Sequence, residues 1–501
     1  MEINGVILQY FEWYYPADGT LWNKLATEAE NLAHKGITAV WVPPAYKGAE
    51  GAISRGYDIY DHYDLGEFHQ KGTIRTKYGT REEYISMIST LHKNNIRVYA
   101  DVVLNHLAGA DETEKVWVKK MNPENNVENW SEPMQIEALT RFTFPGREGK
   151  YSDFVWNYQC FSGIDCAVDL QQKGVFKILN EYGDTWENVI GNDKPNYDFL
   201  MLSDIEYRNP AVRNHLKQWG RWYYETAHFD GVRLDALKHI TPDFPVEWLD
   251  FMRQHLKPDL FAVGEYWTDK KLDQLEKYIE ATDGKIHMFD IPLHYNLHLA
   301  SCTDSYDLRT IFDNSLVSVQ PLLAVTFVEN HDTQPIQSLE SSVEPWFKPL
   351  AYALILLREE GYPCVFYGDF YGTTYEDKGK DGKYHKIVMP QIKELQQLLT
   401  LRKYYAYGQQ KDYFDQQNCI GWVREGNEQY PGCVVILSNS EKEEKKMEVG
   451  KKYSGKHYVD FLQKSKKEVI IDENGIGTFY VNRKSVSVWV LKNNPTNKIE
   501  H

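Results

Sequence analysis

Eight short runs of apolar, largely β-branched residues recur along this chain, at Gly5–Phe11, Ala39–Pro44, Arg97–Val103, Gly231–Ala236, Leu260–Glu265, His287–Leu293, Ala324–Asn330 and Cys364–Asp369. A continuous apolar run, rather than an alternating one, suits a parallel strand covered on both faces. Between them lie amphipathic patterns of helical period, such as Leu21–Lys35, Arg81–Asn94, Ala211–Thr226 and Val246–Leu256. Strand and helix alternating through eight units predict an α/β fold, the (β/α)8 TIM barrel. An open doubly wound sheet is the competing arrangement. It is disfavoured because the chain has no GxGxxG or phosphate-binding loop.

The alternation is broken twice. Asn105–Glu206 is rich in Asn, Asp, Gly and aromatic residues and is too long for a βα loop. It predicts a small inserted domain after strand 3. Beyond Leu401, short alternating segments such as Cys419–Arg424, Gly432–Leu437 and Ser485–Leu491 predict a C-terminal antiparallel β domain. Lys- and Glu-rich stretches there, such as Glu441–Lys446, are expected at solvated edges and turns. The expected division is a barrel over residues 1–104 and 207–396, an inserted domain over 105–206, and a β-sandwich over 397–501.

A formal net charge of -16 argues against nucleic acid and against an anionic membrane surface as partners. A neutral polymer remains compatible, and 14% aromatic residues would suit the apolar faces of sugar rings. The opening MEINGVILQYFEWYYP has no basic n-region followed by a long apolar h-region, and no run reaches transmembrane length. Six scattered cysteines without a CxxC pair fit free thiols in a reducing compartment. The expectation is a cytoplasmic protein, with a monomer favoured and the oligomeric state not specified by the sequence.

In a barrel, chemistry sits at the C-terminal ends of the strands. Here those ends carry Asp101 with Asn105-His106, Arg233 and Asp235 with Lys238-His239, Glu265, and His331-Asp332. A single carboxylate at a strand end is commonly a solvated or capping group. Four neighbouring clusters suit glycoside hydrolysis, which needs a proton donor for the leaving oxygen and a carboxylate facing the oxocarbenium-like carbon. A retaining enzyme holds this pair ~5–5.5 Å apart.

Four segments carry a resemblance: DVVLNH at Asp101–His106, GVRLDALKH at Gly231–His239, VGEYW at Val263–Trp267 and FVENHD at Phe327–Asp332. Through them the chain resembles the α-amylase family of glycoside hydrolases, family 13. QYFEWYYP, GEFHQKGTIRTKYGT, TQPIQSLES and WFKPLAYALILLRE make it most like the liquefying and cytoplasmic bacterial members. The resemblance implies that Asp235 is the nucleophile, Glu265 the general acid/base and Asp332 the third carboxylate, which binds and distorts the sugar. It implies that His106 and His331 bond hydroxyls of that glucose, that Tyr57 is a platform beneath it, that Lys238 and His239 contact the leaving-group side, and that Trp267 adds stacking. Arg233 would keep Asp235 ionised, and Asp101 would support Arg233 rather than touch substrate. Glu265 must keep its proton near neutral pH, which burial and neighbouring carboxylates favour.

The resemblance also implies one Ca²⁺, held by Asn105, Asp198, Asp204 and the carbonyl of His239, through NYDFLMLSDIEY. The alternative for both aspartates is a turn or cap role. A neighbouring metal cluster in liquefying members uses an Asp within FDG, where this chain has Ser162. A third calcium uses a segment that reads Gln416-Gln417-Asn418 here. Both losses of charge argue against those further ions. The expected partner is an α-glucan polysaccharide or maltooligosaccharide, and the expected reaction is endo-hydrolysis of its α-1,4 bonds. The alternatives are an α-glucanotransferase, a maltooligosaccharide-producing relative and, far behind because all three carboxylates are present, a non-catalytic glucan-binding protein.

Overall fold

The computed structural model describes residues 4–125, 128–191, 198–268 and 270–492. Parts of all three expected domains (1–3, 126–127, 192–197, 269 and 493–501) therefore lie outside the described residues, as do the first two residues of the NYDFLMLSDIEY segment.

All eight predicted strands form: β1 (Ile7–Gln9), β2 (Ala39–Val42), β3 (Arg97–Val102), β4 (Gly231–Leu234), β5 (Phe261–Gly264), β6 (His287–Phe289), β7 (Ala324–Phe327) and β8 (Tyr362–Phe366). They close into a barrel in the order β1-β8-β7-β6-β5-β4-β3-β2, each strand beside its neighbours in sequence. Most strands stop short of the predicted run because their last residues leave the ladder to build loops. At β6 the reason is local. The Asp290 side chain accepts from the Leu293 N–H and Pro292 sits in the first turn, so Ile291–Cys302 is a helix rather than a continued strand.

The chain divides into two compact units, one of Met1–Tyr14, Asn31–Ala39 and Asp290–His501, the other of Tyr15–Glu30 and Val40–Phe289. The second unit contains β2 to β6. Arg233 on β4 is level with Asp101 on β3 and with Val263 on β5. That register decides which side chains meet at the strand ends. The helix Pro210–Ala227 starts at an Asn209 cap and brings Gly220 against the indole of Trp248, where a Cβ would come within 2.7 Å. The insertion after β3 is a six-stranded sheet ordered His106–Leu107, Ser203–Ile205, Phe161–Ala167, Gln172–Ile178, Glu112–Lys120, Met134–Arg141. Its pairings are antiparallel.

The first unit pairs β1 with β8 and β7 with β8, all parallel. Its C-terminal part is a six-stranded sheet with a two-stranded ribbon, Glu443–Glu448 paired with Ile476–Val481. Val423, Ile436, Met447, Phe479 and Trp489 share its core. Each such side chain contributes roughly 1.5–3 kcal/mol on full burial. The expectation for Glu441–Lys446 needs correction. Its last four residues are strand, and the two-residue period turns Lys445 and Met447 inward, where the Lys445 ammonium pairs with Asp415 and Gln416. All six cysteines are free. Among the described residues no helix is long and apolar enough to cross a membrane.

Candidate active site

One buried guanidinium organises the strand ends of the second unit. Arg233 is 1% exposed. Its Nη1 donates to Asp101 Oδ1 at 3.0 Å and to Asp235, and its Nη2 donates to Glu265 Oε2 at 3.3 Å. Period two along β4 puts Arg233 and Asp235 on one face, and the register brings Asp101 level with Arg233. Ala236, at φ +50, turns the chain back so that its N–H donates to Glu265 Oε2 at 2.9 Å. Asp235 and Glu265 are thus neighbours across a single planar group. Burial opposes the charge on Arg233, yet Asp101 and Asp235 hold its pKa well above the ordinary value, so it is a permanent cation. Asp101 is fully buried and also accepts from the Trp41 indole at 3.0 Å and the Tyr57 hydroxyl at 2.8 Å. It supports Arg233 and lies beneath the carboxylate pair. Tyr57 is half-buried, with its ring centroid 5.7 Å from the guanidinium.

His106 has both ring nitrogens engaged. Nε2 lies 2.8 Å from the Tyr57 carbonyl and Nδ1 3.1 Å from Asn105 Nδ2. A carbonyl only accepts, so Nε2 carries the proton and Nδ1 accepts from the amide. Burial lowers the pKa of His106, which is consistent with this neutral tautomer.

Beside it lies a buried carboxylate cluster. Asp204 accepts from Ser162 Oγ and from Asn105 Nδ2, the latter at 3.4 Å. Asp198 accepts from the Glu187 N–H at 3.2 Å. Burial raises Asp198 to about 7, raises Glu187 to about 10 with help from Asp198 and Glu206, and drives Asp204 well above the ordinary range. Glu206 goes the other way, to about 2, because Arg208 bonds it at 2.6 and 2.7 Å against the effect of burial. Lys177 is the second cation here. Its ammonium donates to the Ser162 carbonyl at 2.7 Å, and burial lowers it to about 8. Among the described residues, four carboxyl groups therefore share two protein cations, and the Oδ1 of Asn105 is buried without a partner.

In the first unit, His331 and Asp332 follow β7 on a tight turn. His331 is 1% exposed, bonds Gln9 through Nδ1 at 3.0 Å and stacks on Trp13, with Phe11 tilted against it. Its Nε2 lies 3.4 Å from Asp332 Oδ2. Lys238 and His239 lie half-buried on the turn Leu237–His239 after β4, and Trp267 is half-buried just after β5.

Asp101, Arg233, Asp235, Glu265 and Tyr57 are brought together, as are Asn105, His106 and Asp204. Sequence reasoning missed Trp41, Lys177, Glu187 and Glu206. Lys177 falls on the face of its strand opposite Phe176 and Ile178, so the two-residue period pointed it outward, yet all three residues are buried. Among the described residues no group of three or more His, Cys, Asp and Glu side chains converges as a metal-holding set.

Comparison with known proteins agrees with this geometry. A family profile described as alpha amylase, catalytic domain, matches residues 25–397, and one described as alpha-amylase C-terminal matches 433–490. The chain is 47% identical over 491 residues to a cytoplasmic alpha-amylase of Escherichia coli K12, covering 98% of this chain and 99% of that one. It is 45% identical over 492 residues to a glucan 1,4-alpha-maltohexaosidase of Bacillus sp. strain 707, covering 98% and 93%. A solved α-amylase from Anoxybacillus superposes with a TM-score of 0.64 at 17% identity, covering 98% and 97%, a likeness of fold alone. With a family profile spanning most of the chain, near full-length relatives at this identity, and a carboxylate pair at adjacent barrel strand ends, the chain belongs to the α-amylase family of glycoside hydrolases.

Proposed function

We propose that this protein hydrolyses internal α-1,4 bonds of starch-like glucans with retention of configuration. The observation that carries this reading is the bonding of Asp235 and Glu265 to the same buried guanidinium at neighbouring strand ends. In the first step, protonated Glu265 gives its proton to the glycosidic oxygen as the C1–O bond breaks. An Asp235 oxygen bonds C1 from the opposite face. In the second step, Glu265 takes a proton from water, the water oxygen bonds C1, and the Asp235 ester bond breaks. Arg233 keeps Asp235 anionic for the attack. On the family pattern Asp332 binds the distorted sugar, His106 and His331 bond its hydroxyls, Tyr57 lies beneath it, and Lys238, His239 and Trp267 serve the leaving-group side. His106 would exchange its bond to the Tyr57 carbonyl for one to substrate. Proton NMR of the first products from a defined maltooligosaccharide should show the α-anomer. Initial β-anomer would exclude the double displacement. Maltooligosaccharide production is the second reading, favoured by the 45% identity to a maltohexaosidase. A single dominant product length from amylose would select it.

We propose further that Ca²⁺ is the resident metal, held by Asn105, Asp198, Asp204 and the His239 carbonyl. The orphaned Oδ1 of Asn105 and the excess of carboxylates over protein cations fit a hard divalent ion. Bound there, it would neutralise the cluster and tie the inserted sheet to the segment after the nucleophile strand. Ser162 donates to Asp204 where a further carboxylate would be needed, consistent with a single ion. Because Asp198 is raised from 3.8 to about 7, its contribution to metal-free stability is full below about 3.8 and is lost as pH rises through about 7. Calcium binds the deprotonated form, so its stabilisation should grow over that window. Chelation should lower Tm more at pH 8 than at pH 5. At pH 8 the stabilisation lost on chelation is ~2.7 kcal/mol when free calcium is a hundred times its dissociation constant. Asp204→Asn should abolish the calcium-dependent shift. A chelator that changes neither Tm nor activity at pH 8 would return both aspartates to a turn role.

A reducing, cytoplasmic setting is proposed from the free thiols and from the name of the Escherichia coli relative. Four of the cysteines are buried, Cys302 is exposed and Cys166 is intermediate. Thiol titration should find Cys302 and Cys166 reactive in the native protein and all six after denaturation without reductant. Disulfides in protein isolated with alkylation would contradict it.

A further inference from the structure

Beneath the turn that carries His331 and Asp332 lies a buried ion network. Glu329 is 1% exposed, Lys348 4% and Asp369 0%. The Lys348 ammonium lies 3.2 Å from Glu329 Oε2 and 2.5 Å from Asp369 Oδ1, and the Tyr352 hydroxyl donates to Asp369 Oδ2 at 2.7 Å. Glu329 in turn accepts from the Thr333 hydroxyl and, at 3.3 Å, from the Val343 N–H. Thr333 Oγ1 accepts from the Asn330 N–H at 3.0 Å. The Asn330 side-chain oxygen accepts from the N–H groups of Asp332 and Thr333, each at 2.9 Å. An unbroken chain of bonds therefore runs from Lys348 through Glu329, Thr333 and Asn330 to the backbone of Asp332.

Packing does not require such a network. Buried ion groups are commonly no more stabilising than apolar residues of similar volume, because desolvation offsets their attraction. What a network adds is a fixed direction for each partner. In the turn Glu329 to Thr333, aromatic packing reaches His331 through Trp13 and Phe11, while the backbone of Asp332 is fixed by its hydrogen bond to Asn330. Burial raises Glu329 to about 7, with the Lys348 ammonium opposing the shift and the Asp369 carboxylate adding to it.

We infer that Lys348, Glu329 and Thr333 are positioning residues for Asp332, setting the angle at which its carboxylate meets the sugar. This rests on the assignment of Asp332 as the third carboxylate. The test compares kcat and KM on a soluble maltooligosaccharide, normalised to folded enzyme, for Thr333→Val, Thr333→Ser, Lys348→Met and Asp332→Asn. Thr333→Val keeps the shape and removes the hydroxyl link. It should lower kcat about tenfold with KM within about twofold, and Thr333→Ser should restore the rate, since a displacement of ~1 Å can cost about a hundredfold. Folded Lys348→Met should lose up to about a hundredfold in kcat by the same reasoning. Should Lys348→Met fail to fold, the Val and Ser pair decides alone. Wild-type kcat in Thr333→Val, with Asp332→Asn inactive, overturns the positioning role while leaving the assignment of Asp332 intact. Wild-type kcat in Asp332→Asn overturns that assignment and this inference with it.

Discussion

Asp235→Asn should lower kcat by on the order of 10⁴-fold or more while leaving the protein folded. The loss is chemical. An amide cannot form the ester bond to C1, and no other carboxyl group bonded to Arg233 is placed to replace it, since Asp101 is fully buried beneath the pair. The fold should survive because three carboxylates share one guanidinium, so removing one charge eases repulsion. Glu265→Gln should lose a similar factor on starch. It should recover much of its first-step rate on a glucoside whose leaving group needs no proton, and Asp235→Asn should not. The single losses should not add in the double variant, because the two groups act as a unit. Steady-state rates with both substrates, alongside circular dichroism, would read this out. An Asp235→Asn enzyme within tenfold of wild type would remove Asp235 from the nucleophile's place.

The second large effect is on stability. Arg233→Met should cost about 3–5 kcal/mol, the range for leaving a buried charge without its partner. Asp101 is the reason. Its carboxylate has no exposure, and burial already raises its pKa even with Arg233 present. Without the guanidinium it would be driven further toward the neutral form, so the deficit should be smaller at pH 5 than at pH 8. Urea denaturation at the two pH values measures this. A loss below about 1 kcal/mol, or one that grows on acidification, would mean that Arg233 does not carry the buried charge balance. Arg233→Lys should recover only part of the loss, because an ammonium is a point donor and cannot span Asp101, Asp235 and Glu265 as a planar fork does.

Much of the architecture was legible in the linear pattern. Eight apolar runs became the eight barrel strands, because a strand covered on both faces must be apolar throughout. The long polar interval after Val103 became a separate sheet, since no βα loop could satisfy that much backbone. Element ends were less legible. His287–Leu293 reads as one apolar run, but Asp290 and Pro292 in its middle start a helix, and capping outweighs hydrophobicity there. Glu441–Lys446 reads as solvated because of its charge, yet the pleat buries every second residue and takes Lys445 with it.

The candidate site divides in the same way. Asp235 and Glu265 stand at strand ends, and the chemistry proposed for them rests on residue type and position along the chain, which the sequence by itself determines. Their sharing of Arg233 depends on the register between β3, β4 and β5. The charge states of Glu187, Glu206, Lys177 and Glu329 depend on burial and on neighbours distant in sequence. Glu187 and Glu206 are the same residue type, yet one is driven to about 10 and the other to about 2. The difference is that Arg208 bonds Glu206, while among the described residues no cation bonds Glu187 as closely. Hydrophobic periodicity is a local property and survives in the sequence, whereas a pKa is set by the dielectric and charge within a few ångströms, which only the folded chain brings together.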